Sequence, residues 1–215
     1  GLYSGIEHQV NPDMVMTIKT STQKAGEKIS RWAYEYMRYN GRRKIQCCHK
    51  SPVVPLADGA FVDAFYAVAS EYPFIESGDL YVDNLSMALA MDPRPFDVLL
   101  LQNLYGDILS DLAAGLAGGL GVVPGANIGD RIAVFEAVHG TAPDISGQNK
   151  ANPLAVLNSA LLMLEYVGAQ KIAKRIEHSV YDVLEKGEHV TGDLGGNAST
   201  TEFTDAVIDR LNRQV

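Results

Sequence analysis

The apolar run Val98-Leu99-Leu100-Leu101 and the polar-edged stretch Asn103–Asp111 (NLYGDILSD) constrain the fold more than any other segment. A continuous apolar run over Phe96–Leu101 predicts a strand buried on both faces, the pattern of parallel sheets covered by helices. From Asn103 the chain predicts a helix that continues through Leu112–Leu120 and stops among Gly118, Gly119 and Gly121. A strand that feeds a helix is the repeating unit of an α/β chain. This helix carries Asp107 and Asp111 four residues apart, so the two carboxylates stand one turn above the other on one face. Like charges so placed repel. The pair reads either as a solvated helix face or as ligands for a hard divalent cation, since carboxylate oxygens suit Mg²⁺ or Mn²⁺. Taken alone, it leaves both readings open.

The rest of the chain repeats the strand and helix alternation. Residues 1–19 read as two short strands around the turn Asn11-Pro12-Asp13. Thr20-Ser21-Thr22 offer caps for a helix to about Asn40, with Ala25, Ile29, Trp32, Ala33 and Tyr36 as its buried stripe. Lys44–His49 is a strand, and Ser51–Leu56 a loop. Asp58-Gly59 precede a helix to about Ser70, with Phe61, Phe65 and Val68 inward. Leu80-Tyr81-Val82 is a short strand before Asp83 and a brief helix, Asn84–Met91. Ile132–Phe135 is a strand that enters the dense loop Glu136–Gly147. Asn152-Pro153 open a helix to Gly168, with Leu154, Leu157, Leu161 and Leu164 on one face. A second helix runs from Gln170 to Lys186, and Ser199-x-x-Glu202 is a capping box for the last one. The fold class is α/β, a sheet layered with helices.

Composition narrows the function. The 215 residues are 47% hydrophobic and 20% charged, ordinary for a globular domain. A net charge of −8 argues against a nucleic-acid surface, which needs clustered Lys and Arg. No apolar run approaches the ~18–20 residues that span a membrane. Cys47 and Cys48 are adjacent, have no zinc spacing and point to a reducing compartment. The chain has no G-x-G-x-x-G after a strand, so a Rossmann phosphate loop is not supported; Walker and nucleophile-elbow motifs are absent too. What remains is Tyr3, Lys50, Asp83, Asp107, Asp111 and the His139–Asn152 loop. Lys50, Asp83 and Asp107 each lie at or beyond the carboxy end of an expected strand, where open α/β sheets bind ligands. Each also has a plain alternative. Tyr3 can pack, Lys50 can be a surface charge, Asp83 can cap its helix, and His139 can be a satisfied loop residue.

As a set these residues resemble the metal-dependent β-decarboxylating dehydrogenases, the family of isocitrate, homoisocitrate, 3-isopropylmalate and tartrate dehydrogenases. The resemblance is carried by GLYSGIEH (Gly1–His8), His49-Lys50, Tyr81–Asn84, Asn103–Asp111, Ala126–Gly129, VFEAVHGTAPDISGQNKAN (Val134–Asn152) and Asp193–Gly196. Tyr3–His8 and Phe135-Glu136-Ala137 look most like NAD-dependent isocitrate dehydrogenases. The resemblance implies a family sheet layered with helices, not a Rossmann fold, with a small dimer-forming subdomain. It implies a 2-hydroxy-tricarboxylate substrate and Mg²⁺ or Mn²⁺ on Asp107 and Asp111, with Asp83 from the other chain of the dimer. Lys50, also from the other chain, would be the general base and Tyr3 the proton donor to the enolate. His139, Gly140, Thr141, Ala142, Asp144 and Ile145 would hold the adenosine half of NAD, with Asn152 at the adenine. Asp144 can accept from ribose hydroxyls and would repel a 2′-phosphate, which favours NAD over NADP.

The resemblance further implies a homodimer or a hetero-oligomer of related subunits, in bacterial cytoplasm or the mitochondrial matrix. It places residues 1–215 in the family's carboxy-terminal portion, without the upstream arginines that clamp the substrate. One departure stands beside the lysine: Ser51-Pro52 replaces a small residue followed by Asn or Thr. Proline lacks an N–H and fixes φ, so this loop is expected to differ. A regulatory role without catalysis is the contrasting expectation.

Overall fold

Three strands run parallel in the order β4 (Glu76–Tyr81), β3 (Lys44–His49), β5 (Val98–Leu101). This computed structural model describes residues 1–213, and the chain divides into two compact units, Gly1–Leu112 and Ala113–Val215. The sheet belongs to the first unit. Its middle strand, β3, alternates its side chains between two cores, as strand geometry requires. Ile45 and Cys47 join α1 (Gln23–Asn40) and α2 (Pro55–Ala69) in a core with Tyr34, Met37, Phe61 and Phe65. Cys48 points the other way, to Leu85 and Leu89 of α3 (Val82–Met91) and Leu109 of α4 (Asn103–Ala117). The unit is therefore three layers, helix on sheet on helix. Gly26 lets α1 and α2 approach, since a Cβ there would lie 2.9 Å from that of Ala64. Burial pushes both thiols well above the usual cysteine range, and both cysteines are free.

Ahead of this sheet, β1 (Glu7–Asn11) and β2 (Met14–Thr17) pair antiparallel with an irregularity between Gln9 and Asn11. Every residue of this ribbon is exposed.

In the second unit, β6 (Pro124–Ile128) and β7 (Ala133–Ala137) pair antiparallel and pack on α5 (Leu154–Tyr166). Leu154, Val180, Val183, Phe203 and Val207 tie α5 to α6 (Gln170–Lys186) and α7 (Thr200–Asn212). Ser199 and Glu202 form the expected reciprocal capping box at the start of α7. No helix among the described residues is long and apolar enough to cross a membrane.

Four expectations are corrected. Among the described residues β5 is an edge strand, and only Leu100 is fully buried, with Val98, Leu99 and Leu101 partly buried against the cores on the two faces. The buried stripe of α1 is Gly26, Ser30, Ala33, Tyr34 and Met37, while Ile29 and Trp32 are 44% and 45% exposed. Tyr34 wins the inner face because its ring stacks on Phe65 and Tyr72 and its hydroxyl bonds Ser77 at 2.6 Å. α2 begins at Pro55, whose fixed φ suits a first helical position. β4 begins at Glu76, in register with Lys44, and Gln46 lies over the bare backbone of Gly78; β6 was not foreseen.

Candidate active site

All three parallel strands deliver a candidate residue at the same end. β3 passes to Lys50, β4 passes to Asp83 in the first turn of α3, and β5 passes to α4 and Asp107. The Lys50 ammonium lies 2.5 Å from the Asp83 carboxylate and 5.7 Å above the Tyr81 ring. The Lys50 hydrogen bond holds the Asp83 carboxyl below the usual carboxylate range. Pro52 lies in the turn that follows Lys50. The turn closes through Val53 and Val54 N–H donating to the Lys50 carbonyl, both at 3.0 Å, so the donor that proline lacks is not used.

Behind Lys50 stands a set of residues that the sequence alone did not single out. His49 is buried, and its Nε2 lies 3.1 Å from Asp79, which also accepts from Tyr66. Nδ1 accepts from Ser51 N–H at 3.2 Å, so Nε2 carries the proton and donates to Asp79. Tyr66 and then His49 hold the Asp79 carboxyl low. The signal available in sequence was the His-Lys pair at a strand end, which gives no hint of an aspartate thirty residues on.

Tyr3 lies in a single 3₁₀ turn, Leu2–Ser4, closed by Gly5 in the left-handed region at φ 65°. Its hydroxyl donates to Asp107 Oδ2 at 2.7 Å. That bond raises the phenol's pKa above its ordinary value, so the hydroxyl is protonated at neutral pH. Asp111 is exposed one turn further along α4. Asp83 keeps to Lys50, and among the described residues no three His, Cys, Asp or Glu side chains gather at one point. The donors fit a hard cation in kind. Asp107 and Asp111 offer carboxylate oxygens only, and an octahedral ion leaves room for water, substrate or further carboxylates.

In the second unit, His139, Gly140, Thr141, Ala142 and Asp144 form an exposed loop after β7, with Ile145 partly buried. Ala142 takes φ 44°, a left-handed conformation uncommon for a residue with a Cβ. Its carbonyl accepts from Ile145 N–H at 3.1 Å, closing the turn that presents Asp144. Asn152 is almost wholly buried, and its side chain is already engaged. Oδ1 accepts from Leu154 N–H and Nδ2 donates to Asp193, both at 2.9 Å, so Asn152 ties the start of α5 to the glycine-containing loop Asp193–Gly196. In that loop Gly196 is required, since a Cβ there would lie 2.0 Å from the Val190 carbonyl oxygen. An apolar hollow of about 430 Å³ between α5, α6 and α7 holds none of these candidates and no ionisable lining group.

A sequence profile described as isocitrate/isopropylmalate dehydrogenase matches residues 1–207. The chain is 47% identical to the alpha chain of a probable mitochondrial NAD isocitrate dehydrogenase of Caenorhabditis elegans, over 98% of this chain and 59% of that one. It is 46% identical to a regulatory chain of the mitochondrial NAD isocitrate dehydrogenase of Dictyostelium discoideum, over 100% of this chain and 61% of the relative. It is also 46% identical to an NADP isocitrate dehydrogenase of Thermus thermophilus, over 99% of this chain and 43% of the relative. The crystal structure of isocitrate dehydrogenase from Methylococcus capsulatus superposes with a TM-score of 0.93 at 44% identity, covering 98% of this chain and 64% of that one. The chain thus spans about three-fifths of the length of the mitochondrial relatives it matches.

Proposed function

The chain belongs to the isocitrate/isopropylmalate dehydrogenase family, and from that premise we propose that the protein oxidatively decarboxylates isocitrate to 2-oxoglutarate with NAD⁺ and Mg²⁺ or Mn²⁺. The carrying observation is the pairing of Tyr3 with Asp107 and of Lys50 with Asp83 at the carboxy end of one sheet. Each pair is half of the required chemistry. Two chains supply a whole site: Lys50 and Asp83 from one, Tyr3, Asp107 and Asp111 from the other. The assembly is a homodimer or a hetero-oligomer of related subunits, in the mitochondrial matrix if the source is eukaryotic.

Lys50 accepts the proton of the C2 hydroxyl as the C2–H bond breaks and C2–O becomes a carbonyl. His139–Ile145 and Asn152 would hold NAD⁺, which would supply the hydride acceptor, and Asp107, Asp111 and Asp83 would hold the cation, which would supply Lewis-acid stabilisation of the hydroxyl oxygen. The bond from C3 to its carboxylate then breaks, CO₂ leaves, and the electron pair forms an enolate. Tyr3 donates its proton to C3, giving 2-oxoglutarate. Asp83 aims the Lys50 nitrogen, and Asp107 keeps the Tyr3 hydroxyl protonated and oriented. Asp144 pairs with ribose hydroxyls and disfavours a 2′-phosphate.

A regulatory role is the second reading, favoured by the Dictyostelium relative and by Ser51-Pro52 beside the lysine. The test is NADH or NADPH formation by the purified protein with Mn²⁺ and isocitrate, homoisocitrate, 3-isopropylmalate or tartrate. Fastest turnover of isocitrate with NAD⁺ is expected. Preference for another acid overturns the substrate, preference for NADP⁺ overturns the cofactor, and activity only through stimulation of a second, related chain supports the regulatory reading.

A further inference from the structure

Asp58 lies in the first turn of α2 and is wholly buried, yet its carboxylate touches three other elements. Oδ1 accepts from the ammonium of Lys19, two residues past β2. Oδ2 accepts from the backbone N–H of Lys50 at 2.7 Å and from the hydroxyl of Tyr105 at 3.1 Å. Tyr105 stands two residues before Asp107, and its ring lies 4.7 Å beneath the Lys19 ammonium. A buried charge costs several kcal/mol unless it is paired and hydrogen-bonded, and well-packed apolar residues often do as well in stability. Space filling therefore does not account for a carboxylate here. Its geometry does. One oxygen joins the peptide of the lysine to the helix turn that carries the aspartate.

We propose that Asp58 is a positioning residue that fixes the Lys50 strand end and the Asp107 turn of α4 relative to each other. It acts through the Lys50 peptide and through Tyr105, not by touching substrate. The inference rests on the active-site reading above, which makes Lys50 the base and Asp107 a metal ligand. It adds a part-buried ion pair, Lys19 with the buried Asp58, as the foundation on which both stand. The helix dipole favours the carboxylate at this first-turn position.

The test uses two variants of the protein as its gene encodes it. Tyr105→Phe removes one hydroxyl and leaves the ring under Lys19. Asp58→Asn removes the charge and turns an amide donor towards one of its three donors. Three readouts are taken: Mn²⁺ affinity without substrate, by electron paramagnetic resonance; amide hydrogen exchange over 50–54 and 103–111; and kcat with KM for NAD⁺. For Tyr105→Phe we expect Mn²⁺ affinity lowered about tenfold and faster exchange over 103–111, with 50–54 and KM for NAD⁺ unchanged. For Asp58→Asn we expect both segments to exchange faster and kcat to fall about 100-fold, again at constant KM for NAD⁺. Wild-type exchange and Mn²⁺ affinity in Tyr105→Phe overturn the proposal, even if Asp58→Asn does not fold. Wild-type protein that binds no Mn²⁺ or does not oxidise isocitrate overturns the functional reading instead, and exchange alone then decides whether Asp58 joins the two segments.

Discussion

On the proposed mechanism, replacing Tyr3 by Phe isolates the last proton transfer. The ring stays and one hydroxyl leaves. Tyr3 is 61% exposed, so water replaces the lost bond to Asp107, and the unfolding midpoint should stay within about 2 °C. Positioned acid catalysis contributes roughly 10²–10⁴-fold. The two magnitudes separate cleanly, because a rate loss that large at unchanged stability cannot come from misfolding. The bond to Asp107 raises the phenol's pKa, so the proton is present across the neutral range and the loss should not vary between about pH 6 and pH 9. The assay is a single turnover with isocitrate, NAD⁺ and Mn²⁺ in deuterated water. NADH should appear with normal amplitude, while 2-oxoglutarate with deuterium at C3 lags by about 100-fold or more. A variant whose 2-oxoglutarate forms within threefold of the wild-type rate would refute the assignment of Tyr3 as the donor.

Other perturbations follow from the same geometry. Asp107→Asn halves the carboxylate pair on α4 and should lower metal-dependent turnover at least about 100-fold; an unchanged rate makes the helix a solvated face. Asp97 accepts from Arg43 N–H at 2.9 Å and Lys44 N–H at 3.3 Å, and these backbone bonds hold its carboxyl low. A depressed folded pKa means stabilisation that is present above the unfolded value of about 3.9 and lost as pH falls through the folded value. Asp97→Ala should therefore lose about 1 kcal/mol in urea unfolding at pH 7, with the difference from wild type shrinking as the pH falls below the unfolded value. Phe65→Ala empties a site that is fully buried between α1, α2 and β3 and should cost about 3–5 kcal/mol, read from the urea midpoint.

Local chemistry made much of this molecule legible before any coordinates. The capping box at Ser199, the glycine stop after Asn40 and the apolar run into α4 are short-range signals, and each falls where expected. The errors lie where tertiary partners outvote local pattern. Nothing in the residues around Glu76 announces a strand until Lys44 and its neighbours lie alongside. Nothing in the spacing of α1 favours Tyr34 over Trp32, since that choice depends on Phe65, Tyr72 and Ser77. The same holds at the site. The candidate side chains could be picked out by type and place, but their contacts could not. In the sequence nothing marks Asp79, and Asp58 only precedes a helix. Only the fold brings one to His49 and the other to Lys50.

The ribbon of β1 and β2 has a consequence for how the protein is handled in an assay. Two strands exposed on both faces are marginal in water by themselves. Ile6, Val10, Met14, Val15 and Met16 are each 45–64% exposed, and Tyr3 stands only three residues before Ile6. On the two-chain reading, this acid is anchored to a segment whose order depends on being covered. Protein concentration then becomes a hidden variable of the rate. Specific activity should fall on dilution and recover on concentrating, with the onset set by how tightly the chains associate; specific activity that stays constant down to picomolar enzyme would show that Tyr3 keeps its place without help.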